Sequence, residues 1–365
     1  MAYLIPIKTA VLIFPLIALL FTIPFILHQY HKYGSINKWR VLIIYSFILY
    51  LITIYFLVIL PLPNPDEVIY QENMVNLIPF SFITDFISES SIVWNDPNTY
   101  LQILKEPCFY TVILNIFMTI PFGMYLRYYF KCSLKKTVFC SFFLSLFFEI
   151  TQLTGLYHIY KYPYRIFDVD DLLMNTLGGF LGFYLMGLFS KRLPTRDKID
   201  EMAILNGTKV SGLRRITLFC LDLFIYFVLS LNATIFIRIN HIFLISFIIY
   251  YCLIPCLTKG QTIGGKFLNV KMVSNKYFII KELLRNIFLY FYYFGIPLFL
   301  VQLAIRIVND LNIITHIAIL IYFATFIFII IYLMINIIFL LWTGHIYYDK
   351  FFKIEFQSTI ETKLD

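Results

Sequence analysis

Charge is scarce in this chain. Asp, Glu, Lys and Arg make up 14% of its 365 residues, whereas 60% are hydrophobic and the mean hydropathy is +0.81. A soluble domain carries roughly a quarter charged residues, so this composition excludes a dispersed soluble fold. Period-two alternation of apolar and polar residues is also missing, which excludes a membrane β-barrel. The six cysteines (Cys108, Cys132, Cys140, Cys220, Cys252, Cys256) contain no C-x-x-C pair. Neither a structural zinc site nor a disulfide framework is expected, and the thiols read as small apolar fillers.

What is present is a series of continuous apolar runs, each about the 20 residues that cross a bilayer as helix. Nine spans are expected, near 9–27, 41–60, 109–127, 134–153, 172–190, 216–236, 241–258, 286–306 and 314–341, the last of them overlong. The fold class is therefore all-α, a polytopic helical membrane protein. Lys8 alone precedes the first run, the positive charge follows it, and no small-x-small cleavage site closes it, so it reads as an uncleaved span.

The loops between these runs separate by charge. Alternate connections near 28–40, 127–136, 190–215, 259–285 and 350–363 hold 23 of the 29 basic residues; the remaining six are Lys8, Lys105, Lys161, Arg165, Arg238 and Arg306. The basic set marks the cytoplasmic side, which puts the N-terminus outside and the C-terminus inside. The net charge of +8 thus belongs to short loops at the membrane face and not to a nucleic-acid surface. Membrane lipids are the expected partners. Residues 193–209 form a polar cytoplasmic linker between a five-span part, 1–192, and a four-span part, 210–365. No internal repeat is visible, so an inverted-repeat transporter is not suggested.

The acidic outer loop 61–108 includes Asp66, Glu67, Glu72, Asp85, Glu89, Asp96 and Glu106, and its segment NLIPFSFITDFI (76–87) has the pattern of an interfacial helix. Span four ends FFEITQLTG, with Glu149 and Gln152 on one helical face near the outer boundary. Span five opens after YRIFDVDDLLMN, where Asp168, Asp171 and Asn175 fall at i, i+3 and i+7. Antiparallel packing of the two spans would gather Glu149, Gln152, Arg165, Asp168, Asp171 and Asn175 into one outward-opening cluster. Helix capping by the aspartates is the plain alternative. Capping leaves the intramembrane Glu149 unexplained, and such residues are functional by default. The spacing fits no calcium loop, and no nucleophile–base pair is legible beyond the isolated His158, so no metal, no cofactor and no catalytic residue is assigned. Gly178-x-x-x-Gly182 is a close-packing pattern for a neighbouring helix.

In the second part, Arg215 and Asp222 are seven apart on one face, and Asp222 lies two turns inside an apolar run, where Arg215 or water is its natural partner. Gly260-x-x-x-x-Gly265-Lys266 imitates a phosphate-binding loop, but Phe267 follows where Ser or Thr must hold magnesium and a membrane helix precedes it. ATP binding is rejected.

The order NLIPF, NIFMTIPFG, EITQ and RIFDVDDLLMNTLGGFLG resembles the VanZ-like family of bacterial membrane proteins. The matching positions are Asn76, Pro79 and Phe80; Asn115, Pro121 and Gly123; Glu149 and Gln152; and Arg165, Asp168, Asp171, Asn175 and Gly178. The stretch FMTIPFG departs from the pattern, other members being more apolar before the proline. That resemblance implies a multi-pass protein of the bacterial cell membrane, with some members linked to low-level resistance to the glycopeptide teicoplanin, and it makes Asn115 part of the candidate ligand site. Residues 210–358 resemble the RDD family, whose arginine and two aspartates correspond to Arg215, Asp222 and Asp349 and whose glycine-rich loop corresponds to GQTIGGK, apart from one extra glycine. A transport role has been proposed for some of that family. The leading expectation is a non-enzymatic envelope protein whose outer polar cluster binds a cell-wall precursor, a lipid-linked glycan or a glycopeptide. The alternatives are an ion or small-solute transporter using Asp222, Arg215 and Glu149 as a relay, and a membrane-embedded enzyme acting on an envelope lipid.

Overall fold

A computed structural model describes residues 4–89, 106–236, 241–274, 277–310 and 315–361. Expectations resting on Asp96, Lys105, Arg238, Lys276 and Lys363 lie outside the described residues. The chain opens with two long helices, α1 (Leu4–Tyr33) and α2 (Lys38–Ile59). A two-residue strand β1 (Val75–Asn76) then leads into the short helix α3 (Ser81–Glu89). Helices α4 (Pro107–Tyr128) and α5 (Leu134–Leu153) follow, with the single turn α6 (Gly155–His158), strand β2 (Phe167–Asp168) and helix α7 (Val169–Phe189). The local signals are ordinary: Pro107 opens α4 where its missing N–H is harmless, and Ser133 caps α5 by accepting from Lys136 N. The amphipathic segment expected over 76–87 is thus a strand end followed by helix α3.

The second part comprises α8 (Arg196–Gly207), α9 (Gly212–Phe236), α10 (Ile242–Ile248), α11 (Ile254–Leu257) and α12 (Ile263–Phe267). Strand β3 (Val270–Val273), helices α13 (Phe278–Tyr290), α14 (Ile296–Asp310), α15 (Thr315–Thr343) and α16 (Tyr347–Phe352), and strand β4 (Glu355–Ser358) complete it.

Among the described residues eight helical stretches are long and apolar enough to cross a membrane, where the sequence led us to expect nine. The difference lies at 241–258. That run forms one shorter apolar helix, Ile242–Leu257, with a π-turn over Ile249–Leu253 ahead of Pro255. At 1.5 Å per residue it rises about 24 Å, short of the roughly 30 Å of hydrocarbon. The proline without an N–H and the adjoining π-turn account for the interruption. The neighbouring expected span instead runs longer, from Phe278 to Asp310, through a π-turn at Phe291–Gly295. A multi-pass α-helical membrane protein is the outcome.

The chain forms two compact units, one of residues 1–22 with 38–199 and one of 23–37 with 200–365. In the first unit α4 and α7 pack so closely that a Cβ on Gly178 or Gly182 would strike the carbonyls of Ile116 and Ile120, as the small-residue pattern requires. Thr119 Oγ1 donates to Asn175 O across the same contact (2.7 Å). One end of this unit joins segments 128–133 and 194–197: Tyr128 donates to Pro194 O (2.6 Å), Arg196 to Tyr129 O (2.8 Å), and Lys131 pairs with Asp197. The other end holds a parallel pairing of β1 with β2, Val75 opposite Phe167 and Asn76 opposite Asp168.

In the second unit Arg214, 0% exposed, ties three segments together by donating to Gly207 O, to Leu268 O and Asn269 O, and to Ser358 Oγ. Strands β3 and β4 pair antiparallel, Val270 opposite Ser358. His31 Nδ1 lies 2.8 Å from Phe267 O, and Asn269 donates back to His31 O. Segments 28–37, 207–215, 259–273 and 344–360 therefore meet at one end of the unit. These are connections that the charge pattern assigns to a single side of the membrane.

Candidate functional site

The site in the first unit grows from helix α7 beginning on β2. Asp168, the residue before the helix, accepts Asp170 N on Oδ1 (2.8 Å) and Asn76 Nδ2 on Oδ2 (3.3 Å). Its own N–H donates to Glu149 Oε2 (3.0 Å) from α5. Glu149 is only 2% exposed, so an acid buried in a span holds the turn that starts the next helix. Gln152, one turn along α5, donates to Val58 O (2.9 Å), and Arg165 Nη1 donates to the same carbonyl (2.8 Å). The end of α2 is thereby joined to the α5–α7 connection.

Further into α7 the polar residues turn to different neighbours. Asp171 Oδ1 accepts from Asn115 Nδ2 of α4, and Asp171 O accepts from Ser145 Oγ of α5. Asn175 Nδ2 donates to Ser145 Oγ (2.9 Å), while Asn175 Oδ1 is buried without a partner among the described residues. The structure thus gathers Glu149, Gln152, Arg165, Asp168, Asp171, Asn175 and Asn115 at one end of the unit. The shared face expected for Asp168, Asp171 and Asn175 does not form, because Asp168 lies in β2, before the first helical turn.

Asp170 carries more of the site than its sequence position suggests. Its carboxylate, 3% exposed, accepts Phe80 N (2.6 Å), Phe82 N (3.0 Å) and Ser81 Oγ (3.1 Å). One aspartate at the start of α7 therefore caps α3, some ninety residues earlier in the chain. Asn76 completes the strap by donating to Ser81 Oγ (2.8 Å) and accepting Ile78 N. Only long-range contact reveals this role, since Asp170 reads in sequence as a charge at its own helix terminus.

Burial holds the Asp168 carboxyl above its usual range, the hydrogen bonds from Asp170 and Asn76 opposing it. Burial also pushes the Tyr164 phenol up to about 12, and its hydroxyl has no hydrogen-bond partner among the described residues. Arg165 is exposed, and Asp168 and Asp171 are half-buried. The surface of the cluster thus offers carboxylate acceptors beside one guanidinium. Among the described residues no three His, Cys, Asp or Glu side chains are grouped to hold a metal ion. Because the folded state holds Asp168's proton more tightly than the unfolded chain, its contribution to stability grows as pH falls through the raised pKa and is lost as pH rises through it. Melting curves of the wild type and Asp168→Asn should therefore separate in favour of the wild type as pH is lowered from neutrality toward the ordinary carboxylate range; curves that stay parallel would contradict this.

The second unit corrects one expectation. Asp222 does not pair with Arg215. Its Oδ1 accepts Tyr250 OH (2.6 Å) and Gly264 N (3.0 Å), and its Oδ2 accepts Thr262 Oγ1 (2.8 Å). Thr262 in turn caps α12 by accepting Gly265 N (2.8 Å). The glycine-rich loop is thus held by an aspartate; a Cβ on Gly264 would collide with the Asp222 carboxylate. Arg215 pairs instead with Asp349, which also accepts Arg285 Nε (3.0 Å). Both guanidiniums lie against the Phe356 ring, with Cζ 4.0 Å and 5.3 Å from its centroid. Arg215 and Asp222 do share a helix face, but the loop N–H groups and the second aspartate, both remote in sequence, provide better-aligned partners. Arg285, Tyr250 and Thr262 were not singled out by the sequence.

A bundle of membrane-spanning helices whose buried acids and amides anchor a polar cluster at one end defines a polytopic membrane protein with a helix-terminal acidic site. The VanZ/LLP1 family pattern matches residues 47–190, the stretch that contains the whole of that cluster. Over 163 residues the chain is 32% identical to Protein VanZ of Enterococcus faecium, an alignment that spans 44% of this chain and 81% of that protein. The chain belongs to the VanZ/LLP1 family. No solved structure matches it.

Proposed function

We propose that this chain is an envelope protein of the bacterial cytoplasmic membrane whose Glu149–Asp168–Asp171 cluster, with Asn115, Gln152, Arg165 and Asn175, engages an extracytoplasmic ligand of the cell-wall or glycopeptide class. The observation that carries the reading is the bond from Asp168 N to Glu149 Oε2 (3.0 Å). It commits a buried intramembrane acid to fixing the turn on which Asp168, Asp171 and Arg165 reach the surface. That is the arrangement of a preformed recognition site. The teicoplanin link of the resembling family supplies the ligand class. In a host where the wild-type protein alters glycopeptide susceptibility, Glu149→Gln and Asp168→Asn are expected to abolish that change. Unaltered susceptibility with both variants present in the membrane would overturn the proposal.

The proposal requires the cluster to face outward, with the N-terminus outside and the C-terminus cytoplasmic. The concentration of basic residues at the opposite connections supports that orientation. With a membrane-impermeant thiol reagent on intact cells, Asp66→Cys should be labelled and Lys198→Cys labelled only after lysis. The reverse pattern would invert the topology.

The second unit reads as a domain of the RDD type. Support comes from the engagement of its three named residues within one unit: Arg215 with Asp349, and Asp222 with the GQTIGGK loop.

A further inference from the structure

The second unit contains a partly open cavity of about 320 Å³, within the size range of small-molecule sites. Its walls are overwhelmingly apolar, with a few polar side chains among them. Arg215 and Arg285 both line it. Two guanidiniums share the carboxylate of Asp349, Arg215 Nη1 also donates to Gly344 O (3.2 Å), and among the described residues Arg215 Nε has no hydrogen-bond partner, the residue being 6% exposed. Guanidinium nitrogens are donors only and always charged, so a group that meets them in the cavity must be an acceptor. Asp222, the acid lining the cavity, already accepts from Tyr250, Thr262 and Gly264 and has no open role as a cation site. The fully buried Glu282, one turn before Arg285, is not part of the wall. Leu333, Ile337 and Leu340 line the cavity at i, i+4 and i+7 along α15, with Asn336 beside them accepting from Tyr292 OH (3.0 Å).

We propose that this cavity binds a single-chain amphipathic anion, its carboxylate or phosphate head on Arg215 and its alkyl chain along the Leu333–Ile337–Leu340 stripe. Two cavity-lining guanidiniums that share one carboxylate favour an anionic head; the apolar stripe favours a chain in place of a free anion. This site is separate from the acidic cluster of the first unit and stands independently of the function proposed for it.

The test uses the full chain in phosphatidylcholine nanodiscs, with affinities measured for laurate, dodecyl phosphate, dodecanol, dodecyltrimethylammonium and inorganic phosphate. Laurate and dodecyl phosphate are expected to bind saturably and at least about tenfold more tightly than dodecanol or the ammonium. Inorganic phosphate should not displace them. Arg215→Gln should weaken binding by about tenfold or more. Leu333→Phe, which fills the stripe without touching the Arg215–Asp349 pair, should remove binding of both chain-bearing anions. Equal affinity for dodecanol, displacement by inorganic phosphate alone, or unchanged binding by Leu333→Phe would each overturn the assignment. Should Arg215→Gln fail to fold, the head-group comparison and Leu333→Phe decide the question without it.

Discussion

Replacing Asp349 with alanine is expected to destabilise the protein by about 3–5 kcal/mol. Asp349 is 2% exposed and lies between two guanidiniums that are themselves buried. Its removal leaves two like charges without the one carboxylate they share, and breaking a buried pair by removing one partner costs more than the net worth of the pair. Asp349→Asn keeps an acceptor oxygen and the side-chain volume but not the charge, so it should fall between the wild type and the alanine variant. Thermal melts in detergent and abundance in the membrane measure the effect. Lys350→Ala, an exposed neighbour, serves as control and should stay within about 0.5 kcal/mol of the wild type. An Asp349→Ala variant that melts with the control would mean that the arginines find other partners and that the ion cluster does not organise this unit.

The second large effect is expected at Asp170. Its carboxylate receives two backbone N–H groups and one hydroxyl from residues 80–82. Hydrogen bonds to a charged acceptor contribute about 1.5–3 kcal/mol each, and the three are not additive because they hold one strap. Asp170→Ala should therefore cost about 3 kcal/mol or more, expressed as release of the strap and α3 more than as unfolding of the helices. Faster amide exchange and new proteolytic cleavage confined to residues 76–89 would report that release. Asp170→Asn, which retains one acceptor oxygen, should show a partial version. If Asp170→Ala leaves exchange at Phe80 and Phe82 unchanged, the carboxylate is not what docks α3.

These two residues also show what the sequence could and could not disclose. Long apolar runs fix the helices, because a bilayer leaves the backbone few other ways to satisfy its hydrogen bonds. The alternation of basic loops grouped connections that the structure does bring together, as Arg214 does for segments 207, 268–269 and 358. Antiparallel packing of spans four and five also put Glu149 close to the start of α7, and the bond to Asp168 N realises that proximity. Pairings that cross between distant segments were not legible. Asp222 and Arg215 share a helix face, yet each is captured by residues far along the chain, Thr262 and Gly264 in one case and Asp349 in the other. Asp170 reads as a helix-terminal charge because nothing local encodes its role at Phe80–Phe82. The run at 241–258 has the composition of a span, but Pro255 and the π-turn before it shorten the regular helix.

The central claim is that the Glu149–Asp168 turn presents an outward ligand site, and its most direct test is glycopeptide susceptibility in a host where the wild-type chain alters it. Glu149→Gln and Asp168→Asn, each confirmed at wild-type abundance in the membrane, are compared with the wild type and with an empty host. The account predicts that both variants return teicoplanin susceptibility to that of the empty host. Wild-type susceptibility in both variants would contradict it.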